Sequence, residues 1–343
     1  MNNTTSSKDT SLPILDLVRH GHANQCLTKR ILRVIAQRLG IGATAARSAI
    51  PSLYDYLARA NNLYDRDHAL QSKYPSAQHP DFTRFIDTEA ILFYREIQEV
   101  GIPFPLSREM LTVGGETDLR LFLSIGYSCY QIIMRHLPNN LPKKARILDF
   151  GVGCARTARF FFRNAEQFDC YGCDVDDKAI EYTANALPFI KAVTSCNRPP
   201  LPYGNDSFDV VYSISVFTHL NYEAFMVWLT EMHRILAKGG ILQISLHGQR
   251  AFTTITNDPL RRRLIGISDK EFETTQGNFQ KDGFVWMSQP VGSSSIDTSQ
   301  FGISFITRDQ FENSIKGMFS LVSYNEGEIG GWQDLAVISK ATS

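Results

Sequence analysis

The run Ile147-Leu148-Asp149-Phe150-Gly151-Val152-Gly153-Cys154-Ala155-Arg156 joins an apolar, strand-like segment to a Gly-x-Gly turn that opens a helix. Glycines at such a turn let the backbone approach a ligand closely. A dinucleotide fingerprint wants a third glycine or alanine where Arg156 stands. A bulky cation there argues against a pyrophosphate tucked on the helix start, while its charge suits an anion. Further on, Tyr171-Gly172-Cys173-Asp174-Val175-Asp176 ends the next strand with a carboxylate. Asp174 offers two acceptor oxygens where a ribose diol can be held, and Asp176 reads as the cap of the following helix.

A base for chemistry beside such a site is first sought among histidines. Of the 8 in the chain, His20, His22, His68, His79 and His136 fall in the N-terminal part and His233 lies within a helix; all read as structural or solvent-facing. His247 directly follows a strand, at the carboxyl end of the sheet where ligands bind in open α/β folds, and is the candidate for contact with an acceptor. His219, within Phe217-Thr-His-Leu220, reads first as shaping the pocket or capping a helix, with acid/base work as the alternative. Gln333-Asp334 form a further polar pair near that rim, or a plain turn. Cys170-Tyr-Gly-Cys173 has the C-x-x-C spacing but no second pair and sits in an apolar run, so these read as structural cysteines and no metal is expected.

The elements that must position these residues change in texture along the chain. The 343 residues carry 35 basic and 35 acidic side chains, and charged residues make up only 20%. This excludes global disorder and removes the electrostatic argument for a nucleic-acid or acidic-lipid binder. No apolar run approaches the roughly 18 residues needed to span a bilayer and Met1 to Thr10 is polar, which predicts a cytoplasmic protein with no membrane partner. The first third is read as helical: Leu27 to Leu39, Ser52 to Asn61 and Thr88 to Val100, after a polar tail to about Leu12. A long helix follows over Asp118 to Leu137, and Pro138 to Lys144 marks a domain boundary near 140.

Beyond that boundary strands alternate with helices, which predicts a parallel sheet covered on both faces. Strands are expected at Ala145 to Phe150, Cys170 to Val175, Phe208 to Ser215 and Gly240 to Leu246, with helices over Ala155 to Asn164, Lys178 to Ala186 and Asn221 to Leu236. Two closely spaced strands, Leu321 to Asn325 and Asp334 to Ser339, must pair antiparallel. The stretch Gln249 to Ser304 is too long for a simple connection and reads as a lid-like insertion, with Phe272, Phe279, Phe284, Trp286 and Met287 suited to a small organic acceptor. Arg261-Arg-Arg263 within it could hold an anionic group, although three consecutive residues cannot share one helix face.

The ordered set formed by Asp149-x-Gly-x-Gly, Gly172-x-Asp174, Pro200-Leu-Pro-Tyr203, Asp206-Ser-Phe-Asp-Val-Val, Phe217-Thr-His-Leu220 and Arg234-Ile-Leu-Ala-Lys-Gly-Gly240 resembles the class I S-adenosylmethionine-dependent methyltransferases, over about Ala145 to Leu246. The resemblance implies a Rossmann-like, three-layer α/β sheet of order 3-2-1-4-5-7-6 with strand 7 antiparallel, preceded here by a helical N-terminal extension or cap over 1–140. It implies S-adenosyl-L-methionine as cofactor. Asp149, Gly151 and Gly153 then lie at its methionine part, Asp174 at the ribose hydroxyls and Asn197 at the adenine, with Arg156, Val175 and Arg198 as further cofactor-binding residues. Ser213, Ser215 and Phe217 flank the methionine and sulfonium. Asn197 stands where the family often has Asp, and its amide oxygen can accept the same bond.

The segment Asn197-Arg-Pro-Pro-Leu-Pro-Tyr203 loosely matches the Asn-Pro-Pro-Tyr motif of base-amine methylating enzymes, but it precedes the fourth strand rather than following it. The expected acceptor is therefore a small molecule methylated at oxygen or nitrogen, for instance a natural-product intermediate. A peptide or protein side chain, or a non-catalytic cofactor-binding scaffold, are the alternatives.

Overall fold

The computed structural model describes residues 119–289 and 299–341, together with Ile102, Pro103, Pro105 and Met110. The helices expected over Leu27 to Leu39, Ser52 to Asn61 and Thr88 to Val100, the polar tail, His20, His22, His68 and His79 lie outside the described residues, as does most of the expected cap. Within them, strand β1 (Ala145–Phe150) shows how the layers arise. Ile147 joins one apolar cluster and Leu148 and Phe150 the other, because successive strand residues point to opposite faces. Strands β2 (Phe168–Asp174), β3 (Ile190–Thr194) and β4 (Phe208–Ser213) pair parallel with β1 or with one another.

The first face of the sheet is covered by helix α1 (Leu119–Arg135), a 3-10 segment (Ala158–Asn164) and helix α2 (Asp177–Ala186). A helix was expected over Ala155 to Asn164, whereas regular structure starts only at Ala158 and has 3-10 geometry. Ala155 stands at φ +58, a left-handed conformation that a right-handed helix cannot contain. Gly126 of α1 packs so closely that a Cβ there would overlap the Arg156 carbonyl. The second face carries helix α3 (Tyr222–Ile235), which runs directly into strand β5 (Leu236–Leu246). The Asn221 side chain accepts from Ala224 N (2.9 Å) and so starts α3.

After β5, over the stretch read from sequence as an insertion, the chain forms helices α4 (Gln249–Asn257), α5 (Pro259–Leu264) and α6 (Asp269–Asp282) and an antiparallel pair of β6 (Phe284–Ser288) and β7 (Gly302–Ile306). It has its own core of Phe252, Phe272, Phe279, Met287 and Phe305. Its arginines are engaged within the protein: Arg262 and Arg263 pair with Asp269, and Arg261 lies over the Trp332 ring at 4.5 Å. Helix α7 (Arg308–Ile315), capped by Thr307, then covers the second face, and strands β8 (Phe319–Ile329) and β9 (Gln333–Lys340) return to the sheet.

The main sheet has seven strands in the order β3-β2-β1-β4-β5-β9-β8, with β9 antiparallel to both neighbours. This is the expected order, the pair β6–β7 standing apart as its own two-stranded sheet. Cys170 and Cys173 of β2 are three residues apart and join opposite clusters, and burial pushes both thiols up, Cys170 to about 12. Among the described residues no helix is long and apolar enough to cross a membrane.

Candidate functional site

The parallel strands end together, and their register brings Asp149 beside both Gly172 of β2 and Tyr212 of β4. The chain leaving β1 folds back over β2: Gly151 N and Val152 N donate to Cys173 O at 2.9 and 3.0 Å. Gly151 stands at φ +87, and a Cβ there would overlap Val216 Cγ2. Asp174 closes the turn, its Oδ2 accepting from Gly153 N (2.8 Å) and its Oδ1 from Asp176 N (2.9 Å). Asp176 caps α2, accepting from Lys178 N and Ala179 N. Thr183 of α2 donates to Gly153 O at 2.8 Å, so turn and helix are fixed to one another.

Above these strand ends lies a cavity of about 210 Å³, room for an organic ligand rather than for one or two waters. Of the residues expected to hold the cofactor, Asp149, Gly151, Gly153, Arg156, Asp174, Val175, Asn197 and Ser215 line it, and so does His219. Asp149 is only 5% exposed, and burial pushes its carboxyl up to about 8, with the nearby Asp174 charge adding to the rise. A hydrogen bond from Tyr212 and the Arg156 charge act against it. Burial likewise raises Asp174, opposed by the backbone N–H groups of Asp176 and Gly153. Arg156 Nε is buried with no hydrogen-bond partner, so an anionic group in the cavity would satisfy it.

Four expected residues are placed elsewhere. Ser213 is fully buried and donates to Phe150 O at 3.0 Å, and Phe217 packs in the second-face core against Phe225 and Phe150. Ser215 turns to φ +61, and Ile214, Ser215 and Val216 reach the cavity consecutively. Arg198 is exposed outside the lining, its guanidinium facing Gln300.

His247 is 3% exposed and also outside the cavity lining. Its Nδ1 lies 3.2 Å from Ser304 O and its Nε2 accepts from Trp332 Nε1 at 3.0 Å. Burial lowers it to about 3, so it is a neutral ring with both nitrogens occupied, tying β5 to the insertion and to the β8–β9 turn. That corrects the expectation of acceptor contact.

His219 does reach the cavity, with Nδ1 against Gly302 O at 2.6 Å and its ring flat on Phe301, 4.5 Å between centroids. Burial lowers its pKa, opposed by the Gly302 carbonyl and the Gln289 side chain. The pair Gln333-Asp334 divides. Gln333 exchanges hydrogen bonds with Ser215 Oγ, whereas Asp334 is buried, accepting from Tyr324 OH (2.8 Å) and Gly327 N (2.7 Å). Ser195, Trp228, Gln300 and Phe301 line the cavity without having been singled out from sequence. Ser195 was within reach, two residues before Asn197 and just past β3, while the others arrive through tertiary packing.

Residues 148–244 match the family described as a methyltransferase domain. An uncharacterized protein of Haemophilus influenzae is 28% identical over 176 residues, covering 48% of this chain. The chain spans 62% of that relative's length. Among solved structures, a Pyrococcus horikoshii protein is similar at 17% identity, over 65% of this chain and 92% of that one, with a TM-score of 0.45. A Methanosarcina mazei S-adenosylmethionine-dependent methyltransferase is similar at 16% identity, over 62% and 98%, with a TM-score of 0.44. Residues 148–244 are thus a methyltransferase domain by that match, set in a sheet whose strand order is the one the resemblance to class I S-adenosylmethionine-dependent methyltransferases implies.

Proposed function

We propose that the chain transfers a methyl group from S-adenosylmethionine to oxygen or nitrogen of a small organic acceptor. The observation that carries this reading is the cavity at the ends of β1, β2 and β4, whose wall combines Asp174, the bare backbone of Gly151 and Gly153, and the unpartnered Nε of Arg156. Each Asp174 oxygen accepts one backbone N–H and keeps a lone pair for a ribose hydroxyl. Arg156 suits the carboxylate of the methionine part, Asp149 its ammonium, and Asn197 the adenine amine. When bound, the cofactor supplies a methyl group on positively charged sulfur, open to in-line displacement. The protein's share is then orientation and exclusion of water, for which an enclosed wall matters more than a titrating side chain. The even balance of 35 basic and 35 acidic side chains supports a small organic acceptor rather than a charged polymer, while the aromatic side chains Phe272 and Phe279 of the insertion are spent on its own core.

Calorimetric titration with S-adenosylmethionine and S-adenosylhomocysteine tests the cofactor. Micromolar binding is expected for the wild type, weakened at least about tenfold in Asp174→Ala because charge-assisted bonds are lost. Binding of neither ligand by the folded protein overturns the reading. A labelled methyl donor offered with pooled phenols and amines, or with peptides, then tests the acceptor; label in peptides alone overturns the small-molecule assignment.

A further inference from the structure

The seven-stranded sheet alone does not complete the cavity: Gln300 and Phe301 in its wall come from the insertion, immediately before β7. They are held there by the chain that follows β4. Gly302 N donates to His219 O (2.7 Å) while His219 Nδ1 meets Gly302 O (2.6 Å), and Asn221 N donates to Gln300 O at 3.0 Å. Trp286 of β6 adds a bond from Nε1 to His219 O at 3.2 Å. The His219 ring lies against Phe301 at an interplanar angle of 9°. With its carboxamide oxygen turned toward Arg198, Gln300 accepts from Nε (2.9 Å) and Nη2 (2.7 Å), which ties this wall to the loop carrying Asn197.

We propose that Phe301 is an aromatic wall for the adenosine end of the cofactor, and that His219 is the positioning residue that holds it there. The inference rests on the cavity being an S-adenosylmethionine site and adds what that reading leaves open, namely which residues of the insertion meet the ligand. Two observations and the chemistry of the purine carry it. Phe301 lines the cavity and is half-buried, so part of the ring is available to a ligand. Its neighbour Gln300 contacts Arg198, next to Asn197, so the ring stands at the adenine end rather than by Arg156. A purine presents a flat π face, and an aromatic ring offers stacking that an aliphatic side chain of equal volume does not. His219 has its Nδ1 and carbonyl oxygen committed to this wall, an arrangement suited to holding a ring rather than cycling a proton.

The test uses the full chain and two ligands, S-adenosylhomocysteine and 5′-methylthioadenosine, the second lacking the amino-acid part. Phe301→Ala is expected to weaken both by a similar factor, roughly tenfold. Phe301→Tyr should bind within about threefold of wild type, while Phe301→Leu, which keeps apolar bulk, should weaken both several-fold with an unchanged melting temperature. His219→Ala should follow Phe301→Ala in the same direction for both ligands. If Phe301→Ala does not fold, Phe301→Leu decides. Variants Phe301→Leu and Phe301→Ala that bind both ligands within twofold of wild type overturn the wall, and a loss confined to S-adenosylhomocysteine overturns its adenosine placement. A wild-type protein that binds neither ligand overturns the cofactor reading itself.

Discussion

Replacing Asp149 with asparagine should stabilise the ligand-free protein while weakening its hold on the cofactor. A carboxyl in the unfolded chain ionises near pH 4, whereas burial keeps the Asp149 proton until about 8. Between those values the native state binds a proton that the unfolded state has lost, so stability falls as pH rises from about 4 to about 8; below that window there is no penalty. At pH 7, about three pH units into the window at about 1.4 kcal/mol each, the penalty approaches about 4 kcal/mol. Asparagine escapes it and keeps an oxygen for the Tyr212 hydroxyl, so a gain of about 1 to 4 kcal/mol is expected, read as a Tm higher by a few degrees or more. The same change removes a carboxyl that can give up its proton when the cationic amino-acid end of S-adenosylmethionine binds beside it, whereas an amide cannot, and affinity should fall about tenfold. The assay is thermal unfolding at about pH 5, 7 and 8 beside calorimetric titration. A variant less stable than wild type at pH 8, or a gap that does not widen with pH, refutes the reasoning.

Two further substitutions probe the frame of the site. His247→Ala deletes the bonds to Ser304 and Trp332 and should cost about 2 to 3 kcal/mol in urea denaturation. Because burial holds its pKa near 3 against about 6.5 when unfolded, the native ring contributes stability above pH 6.5 that is lost as pH falls toward 3. The variant should therefore lose stability less steeply over that range, and the pH profile of turnover between about 5 and 8 should not move; a profile that lost a limb would return His247 to the chemistry. Gly151→Ala forces a Cβ into Val216 at φ +87 and should cost about 2 kcal/mol or more together with most cofactor affinity, whereas tolerance of alanine would mean that the turn relaxes freely.

Residues fixed by local backbone were legible in the sequence. Asp149 and Asp174 each occupy the end of a parallel strand, and a strand followed by a glycine turn specifies both position and direction from a few neighbouring residues. Asp176 likewise followed from the chemistry of a helix start. Ser213 and Phe217 were assigned to the cofactor through the resemblance alone; Ser213 instead turns into the sheet to bond Phe150 O, and the chain bends at Ser215, where a left-handed serine has no sequence signature comparable to glycine. His247 follows a strand as expected, but whether its ring faces solvent or core depends on Trp332, 85 residues away, and on Ser304. Phe301 was hidden for the same reason: its place depends on a pairing with the His219 segment across some eighty residues, which no local pattern encodes.

The position of β9 has a consequence for the order in which the protein comes into being. Parallel strands β1 to β5 are complete once residue 246 has been synthesised, yet β5 then presents an apolar edge whose partner, β9, begins only at Gln333. During the interval the ribosome adds the whole insertion, and the nascent chain must keep that edge from pairing with another copy. The insertion has its own core, so it can collapse beside the open sheet before the last hairpin slots in. Because β9 lies between β5 and β8, loss of that strand opens the facing edges of both β5 and β8 in addition to the outer edges of β3 and β8, and translation arrested before it should yield aggregates rather than a weakened enzyme.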